Sequence, residues 1–264
     1  MLVEPERTPY DLRFRCLGFP VRVHPWFWIV TLLLNGDGLL RIGPEYLFMW
    51  VAVVFVSILV HELGHALAFR RFGTDADIVL YAFGGLAVPT GTVPGRWRRI
   101  AVSLAGPGAG FILYGIVYGS NAALGWATAP NGRPTNGLEL AFLYRQLVWV
   151  NLYWGVLNLL PVFPLDGGQV SRELCMMRWG TRGTRVSLQI SFGAALLVVA
   201  YCLFCELDVR QFNAEIVGQF PSWVPLGSVY VGILFGFLAY ESYRLLQRIE
   251  WTDTHWDDKA PWER

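Results

Sequence analysis

Residues 51–69 read VAVVFVSILVHELGHALAF, and the histidines and glutamate at 61, 62 and 65 sit inside that apolar run. Ionisable side chains at the centre of a membrane helix cost on the order of 2.5–3.5 kcal/mol each even on a lenient insertion scale. A bound cation would offset that cost. On a helix, residues four apart share a face, so His61 and His65 can grip one ion between them. Glu62 lies beside the pair and is placed to take a proton from water. The stretch therefore predicts a membrane-crossing helix that carries part of a zinc hydrolase site.

The rest of the chain agrees with a bilayer. Of its 264 residues, 54% are hydrophobic and only 16% charged, against about 25% charged in soluble domains. The net charge of +1 gives no general attraction to nucleic acid. The charged opening MLVEPERTPYDLRFR is unlike a cleavable signal peptide, so insertion is expected to be directed by the helices themselves. The four cysteines, Cys16, Cys175, Cys202 and Cys205, form no regular framework. Cys202 and Cys205 make a C-x-x-C, readable as a redox or metal pair or, more plainly, as two small apolar thiols.

Six apolar segments follow, at about 25–40, 46–70, 100–124, 139–160, 186–205 and 225–246. The first is short and aromatic (Trp26, Phe27, Trp28), which suits a membrane interface. The third holds SLAGPGAGFILYGIVYG, rich in small residues that allow close helix packing. Residues 75–92, DADIVLYAFGGLAVPTGT, are too short for a helical span and have β-favouring residues around Gly84 and Gly85. They read either as a re-entrant hairpin buried in protein, whose open edge could pair with an extended peptide, or as a loop along the headgroups. The expected fold is an all-α polytopic membrane protein with about six transmembrane helices and a small re-entrant β-hairpin. It forms a single membrane-embedded domain over 1–264, with a short cytoplasmic N-terminal segment and a polar tail from about 247 to 264. With the N-terminus in the cytoplasm, 17 of the 21 basic residues fall inside, and both termini are expected there.

Two histidines do not complete a catalytic zinc site, where three protein ligands are usual. Asp166, in NLLPVFPLDGG (residues 158–168), is the best candidate for the third. Pro161 and Pro164 break the preceding helix, and Gly167 and Gly168 allow a tight backbone. Glu173 is a rival ligand, and Asp166 also makes sense as a plain turn residue. His24, followed by Pro25, reads as an interfacial anchor or, less simply, a ligand.

HELGH in one apolar helix, followed about a hundred residues later by N-x-x-P-x-x-P-L-D-G-G, resembles the site-2 protease family of intramembrane metalloproteases, and within it the compact bacterial type that processes sporulation or stress-response factors. The likeness also takes in GFPVRVHPWF, the FGG of the hairpin and the SLAGP helix. It implies that His61, His65 and Asp166 bind one zinc ion and that Glu62 is the general base. It implies that Asn158 helps hold the substrate backbone, although a plain interhelical hydrogen bond also accounts for that residue. The strand edge at Gly84 and Gly85 would receive an unwound substrate. Residues 106–110, GPGAG, lack an asparagine that relatives often carry after Gly-Pro, and no PDZ or CBS module is evident.

The expected function is hydrolysis of a peptide bond within or near a transmembrane segment of another membrane protein. The setting is an integral, multi-pass protein of a bacterial cell membrane, with an unidentified regulatory membrane partner as a further expectation. The alternative from a different class is a proteolytically inactive chaperone that binds transmembrane helices. A prenyl-protein-processing protease is disfavoured because that type takes its third ligand from a glutamate in a helix. A transporter is disfavoured because no pair of broken helices repeats across two halves.

Overall fold

The computed structural model describes the backbone of residues 5–40, 43–82, 84–211 and 229–257, and side chains of 5–34, 43–82, 84–205 and 231–249. The chain divides into two compact units, Met1–Leu159 and Leu160–Arg264.

The first unit begins with two short strands, β1 (Leu12–Cys16) and β2 (Phe19–Val23), followed by helices α1 (Pro25–Leu40) and α2 (Pro44–Arg71). Both helices open on proline, whose fixed φ suits the first helical position and whose missing N–H would be unpaired there anyway. Glu45 in the first turn of α2 and Arg70 and Arg71 in its last complement the helix dipole. Strands β3 (Ala76–Tyr81) and β4 (Gly84–Pro89) come next, then α3 (Arg96–Leu124) and α4 (Leu138–Asn158). Helix α3 ends at Gly125, whose φ of 58° is the left-handed geometry of a helix stop.

The four strands form one sheet in the order β1-β2-β3-β4. The β1–β2 and β3–β4 pairs are antiparallel hairpins, whereas β2 and β3 run parallel. A parallel pair needs a crossover, and here the crossover is α1 and α2 together. One face of the sheet (Phe19, Val21, Val23, Ile78, Leu80) packs with Val53, Val54, Ile58, Leu63 and Ala66 of α2 into the core of the unit. Arg70 ties the end of α2 to the β1–β2 turn. Its guanidinium lies 3.5 Å from the centre of the Phe19 ring, donates to the Leu17 carbonyl at 3.0 Å and pairs with Asp75 at 3.1 Å.

The second unit holds α5 (Asp166–Trp179), a single 3-10 turn (Gly180–Arg182), α6 (Gly183–Gln211) and α7 (Val229–Asp257). Chain return between α5 and α6 is tight: a Cβ on Gly183 would meet the backbone of Cys175 at 2.5 Å.

Two parts of the expected fold need correction. The β structure is a four-stranded mixed sheet rather than a lone small hairpin. The segment at Asp166, read only as tight backbone after a proline break and assigned to no helix, starts a 14-residue helix. Among the described residues, three stretches are long and apolar enough to cross a bilayer: Pro44–Arg71, Arg96–Leu124 and Asp166–Cys205. Helix α4 has 21 residues, but Glu139, Arg145, Gln146, Asn151 and Asn158 dilute its apolar character. The apolar part of α1, Pro25–Leu34, is shorter still. The tail from 258 to 264 lies outside the described residues.

Candidate metal centre

Helix α2 places His61, Glu62 and His65 deep in the first unit, at 4%, 4% and 8% exposure. Nδ1 of His65 lies 2.8 Å from the carbonyl oxygen of Val102 in α3. A carbonyl only accepts, so Nδ1 carries the proton and Nε2 of neutral His65 presents a lone pair. That lone pair faces Nε2 of His61 at 3.2 Å. Two ring nitrogens so close and so directed need a proton or a cation between them. Nitrogens bound to one tetrahedral zinc at about 2.0–2.1 Å stand about 3.3 Å apart. The pair therefore fits a metal, and the Val102 bond is the kind of outer contact that orients a metal-binding imidazole.

Three glycines make the room. Gly64, the fourth residue of HELGH, lets α2 and α3 cross closely, since a Cβ there would lie 2.8 Å from the Cβ of Ala109 and collide with the Ala105 backbone. A Cβ on Gly106 of α3 would collide with the His65 ring and stand 2.8 Å from Nε2 of His61. Gly85 does the same for the acid, because a Cβ on β4 at that point would overlap the Glu62 side chain. Gly84, at φ +134°, faces the other way, with Trp154 of α4 only 3.1 Å from where its Cβ would be. The first two residues of β4 thus pass between an indole and the carboxyl of Glu62, which explains why both are glycine.

Asn158 is buried at the end of α4 and donates from Nδ2 to its own helix, at Trp154 O, 3.0 Å away. His24 belongs to the sheet: its ring accepts from the amide of Trp26 at 3.2 Å and packs edge-on against Tyr81. The sequence reading missed a buried pair two helical turns before Asn158. Asn151, 2% exposed, donates to Ser57 Oγ at 2.9 Å and to Leu147 O at 2.8 Å. Ser57 stands one turn before His61 on the same face of α2. The signal was an asparagine set among aromatic and aliphatic residues, in WVNLYW (residues 149–154).

In the second unit, Asp166 is half-buried and is the first residue of α5, where a carboxylate is favoured by the helix dipole. Glu173 lies two turns further along the same helix and is also half-buried. The chain before Asp166 is folded tightly, with Val162 N donating to Leu160 O at 2.7 Å and Leu165 N to Val162 O at 2.8 Å. A Cβ on Gly168 would lie 2.6 Å from the Val162 carbonyl and the Phe163 nitrogen, so the second glycine of Asp-Gly-Gly lets that loop fold back onto the helix.

Comparison with known proteins agrees with this picture. The sequence profile of peptidase family M50 matches residues 49–132 and 127–200, from α2 into α6. A protein of Methanocaldococcus jannaschii named zinc metalloprotease is 27% identical over 197 residues, covering 74% of this chain and 54% of its own. The Mycobacterium tuberculosis protein Rip3 is 32% identical over 213 residues, covering 76% and 51%. The chain thus spans about half the length of the curated relatives it matches. Its fold is shared with the solved site-2 protease of Methanocaldococcus jannaschii, at a TM-score of 0.58 and 22% identity, over 90% of this chain and 95% of that one. With the profile covering more than half of its residues, the chain belongs to peptidase family M50.

Proposed function

We propose that the chain is an intramembrane zinc endopeptidase, cutting a peptide bond within or near a transmembrane segment of another membrane protein. The observation that carries the reading is the His61–His65 pair, with its Nε2 atoms 3.2 Å apart and Glu62 alongside, in a helix apolar enough to cross a bilayer. His61 and His65 would hold one zinc ion, with Asp166 as the third ligand. The donor set of two imidazoles and a carboxylate suits zinc with one position left open. Zinc, when bound, supplies Lewis-acid activation of water and of the peptide carbonyl.

The chain's own residues do the rest. Glu62 takes the proton of the attacking water and returns it to the leaving amine. Its burial and the glycine at 85 keep the carboxyl against the strand where a substrate would lie. A transmembrane helix hides its amides in its own hydrogen bonds, so it must unwind before attack. Strand β4 is last in the sheet order, and its outer edge offers backbone partners to an unwound segment. Asn158 would help hold that segment near the scissile bond.

The two units act as one catalytic domain in a bacterial cell membrane, with about six spans and cytoplasmic termini. The excess of arginine near the expected cytoplasmic ends supports that orientation.

The test compares membrane proteins from cells carrying wild type or Glu62→Gln. Fragments cut within a span should appear with the wild type and fall by about 10²-fold or more in the variant, while zinc content is unchanged. Wild-type cleavage by Glu62→Gln contradicts the base assignment. Zinc-loaded wild type that cuts no membrane protein favours the inactive chaperone.

A further inference from the structure

The second unit carries a buried polar contact that no step above uses. Ser191 of α6 and Ser242 of α7 are 1% and 0% exposed, and their hydroxyl oxygens are 2.8 Å apart. The amide of Phe163, three residues before Asp166, donates to Ser191 Oγ at 2.8 Å. Two hydroxyls fully enclosed between largely apolar helices are unfavourable unless each bond is used. Here they take up a backbone donor that the Pro161–Pro164 loop cannot satisfy within itself. Helix pairing is also the means by which the loop is fixed: Ser242 orients the Ser191 hydroxyl, and Ser191 holds Phe163. From the other side, Gly168 lets the loop rest on the start of α5. Asp166 is therefore bracketed, with its own helix below and a hydrogen-bonded loop before it.

We infer that Ser191 and Ser242 are positioning residues for the metal centre. They anchor the loop that sets the direction of the Asp166 carboxylate, and they make zinc retention depend on the packing of α6 against α7. The inference rests on the assignment of Asp166 as a zinc ligand. A ligating carboxylate must be held within a few tenths of an ångström of its working position, so its supporting contacts matter as well as the ligand itself.

The experiment uses the full chain in lipid nanodiscs and two readouts: zinc loss to an added chelator, and deuterium uptake by peptides covering residues 160–168. Ser191→Ala should release zinc at least tenfold faster than wild type, and amides in the loop should exchange faster even in zinc-free protein. Ser242→Ala, which leaves the Phe163 bond in place but unsupported, should shift both readouts the same way by less. Ser187→Ala, one turn away in α6, should match the wild type. Should Ser191→Ala not fold, Ser242→Ala carries the test alone. Wild-type zinc loss and exchange in the serine variants overturn the inference. Asp166→Ala separates the two claims. Zinc lost from Asp166→Ala but kept by the serine variants overturns the anchor alone, and zinc kept by Asp166→Ala overturns the ligand assignment beneath it.

Discussion

In α2 the His65 imidazole donates through Nδ1 to Val102, and that bond decides which nitrogen is left for an ion. His61 answers with Nε2 at 3.2 Å, so the two Nε2 atoms face one point, where a proton or a cation would sit. The convergence holds only while α3 comes close, and α3 comes close because Gly64 and Gly106 present no side chain where the helices meet. Gly106→Ala is therefore expected to push the two rings apart and to weaken zinc affinity by about 10–100-fold, the usual effect of disturbing a ligand's support. Gly108→Ala is the control, since no atom lies within 4 Å of a Cβ there. Equilibrium zinc titration of the two variants checks this, and equal affinities would contradict it. The histidines were legible in the sequence because a four-residue spacing has one meaning on a helix. Gly106 was legible only as a small residue in a close-packing stretch, because its partner is set by the crossing of two helices and not by anything in its own segment.

The elements explain what was and was not readable. The apolar segments forecast α1 to α4 to within a few residues, because a long apolar run allows few structures in a bilayer. Helices α6 and α7 instead run on to Gln211 and Asp257, past their expected ends at about 205 and 246. Strands β1 and β2 alternate as plainly as a strand can, with Arg13 and Arg15 between Leu12, Phe14 and Cys16, yet at five residues each they are short. Their meaning comes from the parallel partner β3, supplied more than fifty residues later. Helix α5 was hidden by the two glycines behind Asp166, poor helix formers kept for the tight loop. The sheet also makes a pH-dependent contact. Arg13 and Arg22 stand opposite each other in the β1–β2 pair, a repulsive arrangement that Asp11 relieves by lying 3.7 Å and 3.2 Å from the two. Burial raises the Asp11 pKa, but the Thr8 hydroxyl and amide and the Arg22 guanidinium outweigh it and hold the carboxyl at about 2, below its ordinary 3.8. A lowered folded pKa means the stabilisation is complete above about pH 4 and fades as the pH falls towards 2. Amide protection of residues 12–23, taken relative to the intrinsic exchange rate at each pH, should fall through that window in wild type. Asp11→Asn should be open already at neutral pH and change little below it, and identical profiles would refute the contact.

For the whole molecule, the informative fact is that the predicted ligands lie in different compact units, the histidines in Met1–Leu159 and Asp166 in Leu160–Arg264. No local pattern links them. The pairing of two motifs about a hundred residues apart is what singles out Asp166 as the proposed third ligand, and Glu173 remains a chemical rival on the same helix. An activity assay alone does not separate Asp166 from Glu173 as the carboxylate ligand. The direct measurement is zinc stoichiometry and X-ray absorption at the zinc edge on purified wild type, Asp166→Ala and Glu173→Ala. The account predicts one zinc per chain, bound by two imidazoles and a carboxylate, in wild type and in Glu173→Ala, with the ion lost from Asp166→Ala. Full zinc in Asp166→Ala with an unchanged spectrum would contradict it.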